Sequence, residues 1–220
     1  KDDGSVVTWG DSNYGGNSSH ISDLLTSGVT KISATNGAYA ALKDDGSVVT
    51  WGSVDNEVTT TNVSENLTGI TEIFSNQGIF ELSSDSSVLT YGAFAALKDD
   101  GSVVTWGSSE TGGDISWFKS QILSKVTDII STRSAFAAIK ENGSVITWGR
   151  SNEGGNSSSV EEFLTSGVVK IVSTLESFAA IKEDNTVVTW GSSSEGGELS
   201  EAVSLANANG GEAIGATIAR

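Results

Sequence analysis

One short string of alternating polar and apolar positions recurs along this chain. GSVVTWG stands at residues 4–10, 46–52 and 101–107, returns as GSVITWG at 143–149 and NTVVTWG at 185–191, and a worn copy, SSVLTYG, occupies 86–92. Alternating Val, Thr and Trp suit a pleated, half-buried strand. A strand of small residues precedes the string, as in AFAAI at 135–139 and SFAAI at 177–181. The two are joined by a tight turn at 3–4, 45–46, 85–86, 100–101, 142–143 and 184–185, where Asp or Asn is followed in five of six cases by Gly or Asn. Such pairs tolerate positive φ, and a type I′ hairpin is expected.

A Gly-Gly loop follows at 15–16, 112–113, 154–155 and 196–197, whereas the second unit has Glu57-Val58 there. Apolar residues then recur four apart, at Ile21/Leu25, Val63/Leu67, Phe118/Ile122 and Val160/Leu164, which predicts one or two helical turns. A last strand closes each unit, as at 29–35 and 168–174, and residues 211–217 still match it.

The ring-bearing positions Trp9, Trp51, Tyr91, Trp106, Trp148 and Trp190 are separated by 42, 40, 15, 42 and 42 residues. These intervals divide a single domain into units of 1–42, 43–82, 83–97, 98–139, 140–181 and 182–220. The short interval after Gly92 leaves the third unit about 27 residues below the period. Loss of most of a sheet would bare strand edges, so those residues are expected to exist in the molecule. A peptide running continuously through Gly92-Ala93 would refute this.

Units of some 42 residues with three or four short strands predict an all-β propeller of about six blades, with short helical turns between strands. A ring-bearing residue at the same place in every unit is expected to pack between sheets, each Trp burying about 150–250 Å². Gly-His and Trp-Asp signatures are absent, since every repeat Trp is followed by Gly. The segments GAYAALKDDGSVVTWGSVDN at 37–56 and AFAAIKENGSVITWGRSNEGG at 135–155 resemble the regulator of chromosome condensation repeat and the related beta-lactamase inhibitory protein II. The resemblance covers nearly the whole chain. It implies a propeller, usually seven-bladed, that serves as a protein-binding platform. This chain departs from it in having six recognisable units and Gly-Gly in place of Gly-Gln-Leu-Gly. It is also similar to Ser/Thr/Asp-rich arrays within giant surface proteins of marine bacteria.

Composition narrows the function. A formal charge of −16 argues against nucleic acid and anionic membrane surfaces. Cys, Pro and Met are all absent, so there is no disulfide framework or thiolate metal site. About 11 Pro would be usual at this length, and copying one unit that lacks these residues explains their joint loss. No run of 18 apolar residues is present, and the start at Lys1 looks like a fragment of a longer chain.

Chemistry is poorly represented. His20 is the only imidazole and has no orienting partner in view. The acid pairs Asp44-Asp45 and Asp99-Asp100 recur with the turns and read as turn formers. Trp117 lies outside the repeat pattern, and four glycosylation sequons, at Asn17, Asn62, Asn66 and Asn156, are near chance frequency. Oxygen ligands at Asp11, Asp55 and Glu153 give a weak calcium signal that matches no dedicated loop. No cofactor and no catalysis are expected.

The expected function is a structural or binding module of a larger secreted or cell-surface protein, bacterial and marine in character. Protein or glycan partners would meet loops that differ between units, at Asp11, Asn13, Tyr14, Asp55, Asn56, Glu110, Arg150, Asn152, Glu153 and Glu195. The alternatives are a cytoplasmic regulator resembling nucleotide-exchange propellers, which would need an extended insertion that the sequence does not advertise, or a proteinaceous enzyme inhibitor.

Overall fold

The computed structural model describes residues 1–52, 67–82, 87–114, 124–197 and 203–204, and the side chains of 79–82, 87–91 and 203–204 are left aside. Among these residues every regular element is a strand or a 3₁₀ turn. Blade 1 is β1 (Val29–Ala34), β2 (Ala38–Lys43) and β3 (Val48–Gly52), antiparallel and in sequence order. Blade 3, from β9 (Val126–Ser131), β10 (Ala135–Lys140) and β11 (Val145–Gly149), repeats it. Blade 4, from β12 (Val168–Ser173), β13 (Ser177–Lys182) and β14 (Thr186–Gly191), adds the two-residue β15 (Val203–Ser204) at its outer edge.

Against the units of the sequence, blades 1, 3 and 4 thus take the last two strands of one unit and the first strand of the next. Strand periodicity reveals where strands lie but is silent on which pair, so the sequence units and the sheets are out of phase.

Blade 2 has another construction. Its first strand, β4 (Ile70–Ser75), pairs with β7 (Ala93–Lys98), which pairs with β8 (Val103–Gly107). Between β4 and β7 the chain forms a separate two-stranded hairpin, β5 (Gly78–Leu82) and β6 (Ser87–Tyr91). After Gly92 the next strand, β7, is paired on both sides, and the worn copy of the repeat stands in the turn between β4 and β7.

Sequence explains which copy enters the blade. Read without a gap, β4 continues into β5 with the spacing of β1 and β2, so Glu81 and Leu82 correspond to Ala40 and Ala41. Both alanines are fully buried, as are Ala95 and Ala96, which fill those places in blade 2. A carboxylate there would be desolvated, and a leucine would overpack a site built for a methyl group.

The core lies between successive blades. Trp51, Trp106, Trp148 and Trp190 are 5%, 3%, 1% and 1% exposed, and each ring stacks on the aromatic residue opposite it, Tyr39, Phe94, Phe136 or Phe178, at 5.1–5.3 Å. In the last three blades that ring pair packs against small residues of the preceding blade's middle strand, such as Ala135 and Ala137 against Phe178 and Trp190. Trp9 departs from the expected packing. It is 83% exposed, because residues 4–10 join no strand ladder among the described residues. Tyr91 lies on β6.

One local expectation is corrected and another is met. The hairpin turns are not type I′, since positive φ occurs only at the fourth residue, as at Gly46 (76°), Gly101 (75°) and Gly143 (72°), with Asn185 (65°) taking that place in blade 4. The N–H of Gly46 donates to the Lys43 carbonyl at 3.0 Å, the geometry of a type I turn completed by one left-handed residue. The apolar spacing at 21/25 and 160/164 gives 3₁₀ turns, Ser19–Leu25 and Ser158–Leu164, that bury Leu25, Val160 and Leu164. The corresponding segments at 53–66 and 115–123, with Trp117, Asn62 and Asn66, lie outside the described residues, as do 205–220.

Candidate functional site

At one end of blades 2, 3 and 4, the turn between the first and second strands meets the short 3₁₀ turn that follows the third strand. Those 3₁₀ turns are Ser109–Thr111, Ser151–Glu153 and Ser193–Glu195, Ser12–Tyr14 follows residues 4–10 likewise, and each is ended by a left-handed glycine. These are the variable loops singled out in the sequence, so the structure gathers them on one rim. Asp55 and Asn56 lie outside the described residues.

A repeated clamp holds the rim. The Thr132 and Thr174 hydroxyls accept from the N–H of Ala135 and Ser177 at 3.0 and 3.1 Å. They donate to the Glu153 and Glu195 carbonyls at 2.9 and 3.3 Å. In blade 2 Asn76 replaces threonine: its Oδ1 accepts from Ala93 N at 2.8 Å and its Nδ2 donates to the Thr111 carbonyl at 2.7 Å. The amide spans two partners with separate atoms, which keeps the blade closed although 16 residues, 77–92, intervene where blade 1 has Asn36-Gly37.

The rim residues divide sharply by exposure. Asp11, Asn13, Tyr14, Glu110, Asn152 and Glu195 are exposed, and Arg150 is half-buried. Glu153 is 3% exposed. Its carboxylate faces Arg133 at 3.4 Å and Arg150 at 3.6 Å, while Arg133 also pairs with Glu176. Two guanidiniums therefore occupy the carboxylate that the sequence offered to a partner or to calcium. Asp11 Oδ1 accepts from Asn13 N at 2.8 Å and caps its 3₁₀ turn. Among the described residues no three acids or imidazoles gather as a metal cluster, and His20 stands exposed.

The opposite end carries the hairpin turns. Asp45 and Asp100 each accept from a serine N–H two residues on, at 2.9 and 2.8 Å, and from its hydroxyl, and Asn142 does the same with Ser144. Hydrogen bonds from the serine hydroxyl, then from its backbone N–H, hold the Asp45 and Asp100 carboxyls below the ordinary aspartate range. Their partners are the turn itself, in keeping with turn formers.

Sequence reasoning missed the β5–β6 hairpin, whose root is fastened at the rim to three blades. Asn36 N donates to the Gln77 carbonyl at 3.3 Å, Gly92 N to Asn36 Oδ1 at 3.2 Å, and Gly78 N to the Arg133 carbonyl at 2.8 Å. The 15-residue interval between Tyr91 and Trp106 is the sequence signal that accompanies it.

No family model matches the chain, and none of the curated proteins does. Among solved structures the chain is similar to Prp20p from Saccharomyces cerevisiae, with 15% identity over 74% of this chain and 43% of that one and a TM-score of 0.47. It is similar to human WBSCR16, with 16% identity over 74% and 47% and a TM-score of 0.45. A computationally designed protein, Ika8, matches with 14% identity over 76% and 46% and a TM-score of 0.36. The chain spans less than half the length of each. Prp20p, the yeast RCC1, is described as binding Gsp1p and histones.

Proposed function

We propose that this chain is a non-enzymatic, protein-binding propeller module whose contact surface is the rim bearing the β5–β6 hairpin. One observation carries the reading: among the described residues the repetitive scaffold departs from its repeat at one rim turn, and three blades hold the root of that departure. A scaffold needing only its own stability gains nothing from such an insertion, whereas rigid frameworks with one distinctive loop are the usual way to present a binding element. Exposed acids at Asp11, Glu110 and Glu195 on the same rim favour a partner with basic groups. The acidic, Cys-free composition favours a place outside the cell, within a larger surface protein.

The hairpin also lends weight to the second reading, an intracellular regulator, since an extended insertion was that reading's requirement. The test replaces residues 77–92 by Asn-Gly, the pair blade 1 uses. Cross-linking and mass spectrometry on extract and culture supernatant of the source organism would compare the variant with the parent. The proposal expects partners that the parent captures and the variant loses. Identical capture by both would defeat it.

A further inference from the structure

We propose that Arg133 is a positioning residue for the β5–β6 hairpin. Its guanidinium, shared between Glu153 and Glu176, fixes the carbonyl that takes the first amide of β5, and so sets the pose in which the hairpin meets a partner. What the pose serves rests on the rim reading; how the pose is held does not.

The turns between first and second strands are tied to one another through the backbone. Asn36 N donates to the Gln77 carbonyl at 3.3 Å and Arg133 N to the Leu175 carbonyl at 2.8 Å, each reaching the same place in the following blade. Between blades 2 and 3 the donor is Gly78, whose N–H reaches the Arg133 carbonyl at 2.8 Å. Gly78 is also the first residue of β5. The hairpin therefore starts inside the chain of bonds that joins these four turns, and whatever holds Arg133 holds the entry of β5.

The side chain at this place differs in every blade, as Asn36, Gln77, Arg133 and Leu175, and Arg133 is the one of the four that carries charge. Its Nη2 pairs with Glu176 on the next turn and lies 3.4 Å from Glu153 Oε1, while its Nε lies 3.5 Å from Glu153 Oε2. Glu153 is itself fixed. It is 3% exposed, its carbonyl takes the Thr132 hydroxyl at 2.9 Å, and Arg150 meets its carboxylate at 3.6 Å. An ion pair in open water holds little. A planar guanidinium closed on a buried carboxylate and reaching a second has few poses left to it. With its N–H on Leu175 and its side chain so held, residue 133 offers its carbonyl as a fixed acceptor.

The exit of the hairpin is held without charge, since Gly92 N donates to Asn36 Oδ1 at 3.2 Å. Entry and exit can thus be disturbed separately, which distinguishes positioning from general stability.

Glu176→Gln is the test, because Glu176 is partly open to solvent and glutamine keeps the shape while removing the charge. Amide exchange at Gly78 should quicken on the order of tenfold while Gly92 stays within about twofold of the parent. In about 1 M NaCl, where the screening length is about 3 Å, the parent's Gly78 should move toward the variant's rate and the variant should not respond. Equal acceleration at both glycines, or none at Gly78, would overturn the proposal. The hairpin's role in binding fails on a different observation, capture of the same partners after residues 77–92 are replaced by Asn-Gly. If that replacement abolishes capture while Glu176→Gln captures as much as the parent, the hairpin binds but Arg133 does not set its pose.

Discussion

Blades 2 and 3 are built from nearly the same words, AFAALKDDGSVVTWG and AFAAIKENGSVITWG, yet only one carries a hairpin in the turn between its first two strands. Their ladders match residue for residue, Phe94 opposite Trp106 and Phe136 opposite Trp148. The sheet therefore does not register the length of that turn. What it registers is a small residue at each fully buried place and a side chain that ties the turn to the 3₁₀ segment.

The largest effect should come from making the two copies in blade 2 equally bad. Ala95→Glu puts an unpaired carboxylate at a fully buried position and should cost about 3–5 kcal/mol, read as a fall in the urea midpoint. Glu81→Ala with Leu82→Ala works from the other side. It makes β5 a fit partner for β4, and exchange protection at β7 should fall although no residue of β7 has changed.

The clamp comes next. Asn76→Ala removes two buried hydrogen bonds and should destabilise by about 2 kcal/mol, while Asn76→Thr, the residue of blade 3, should recover about half of that. Equal losses for the two variants would show that the clamp does not define blade 2.

Blade 3 has its own irregularity. Lys125 holds φ at 59° where Gly28, Gly69 and Gly167 stand in the other blades, so Lys125→Gly should stabilise the protein by about 1 kcal/mol in thermal denaturation.

The smallest difference concerns acid. Because the folded state holds Asp100 below its unfolded value, its contribution is complete above the unfolded value and fades as pH falls through the depressed one. Blade 3 has Asn142 at that place and should show no such titration. Carboxyl NMR of Asp100 with and without Ser102→Ala checks the assignment, since losing the serine hydroxyl removes the leading cause and should raise the midpoint.

Much of this fold could be read from the chain because one string recurs. Copies of GSVVTWG locate the outer strand, and the four described blade Trp residues are buried where the period requires. Pairing was harder to read. Residues 78–92 resemble a middle and outer strand closely enough to look like a broken unit, and only the burial of Ala95 and Ala96 shows why Glu81 and Leu82 are turned away. The site was legible as a set of loops on one rim, but the fate of Glu153 was not. Its carboxylate is buried by Arg133, which lies 20 residues away on another turn, and no local pattern announces that pair.

The Asn76 clamp has a consequence for anyone who wishes to build on this scaffold. Because two side-chain atoms stitch the root of the insertion, the residues between them are free to be exchanged, like a cassette in a fixed socket. Transplanting asparagine to Thr132 or Thr174 should turn other rim positions into sockets of the same kind. Foreign loops could then be displayed side by side at blade spacing without disturbing the ladders beneath.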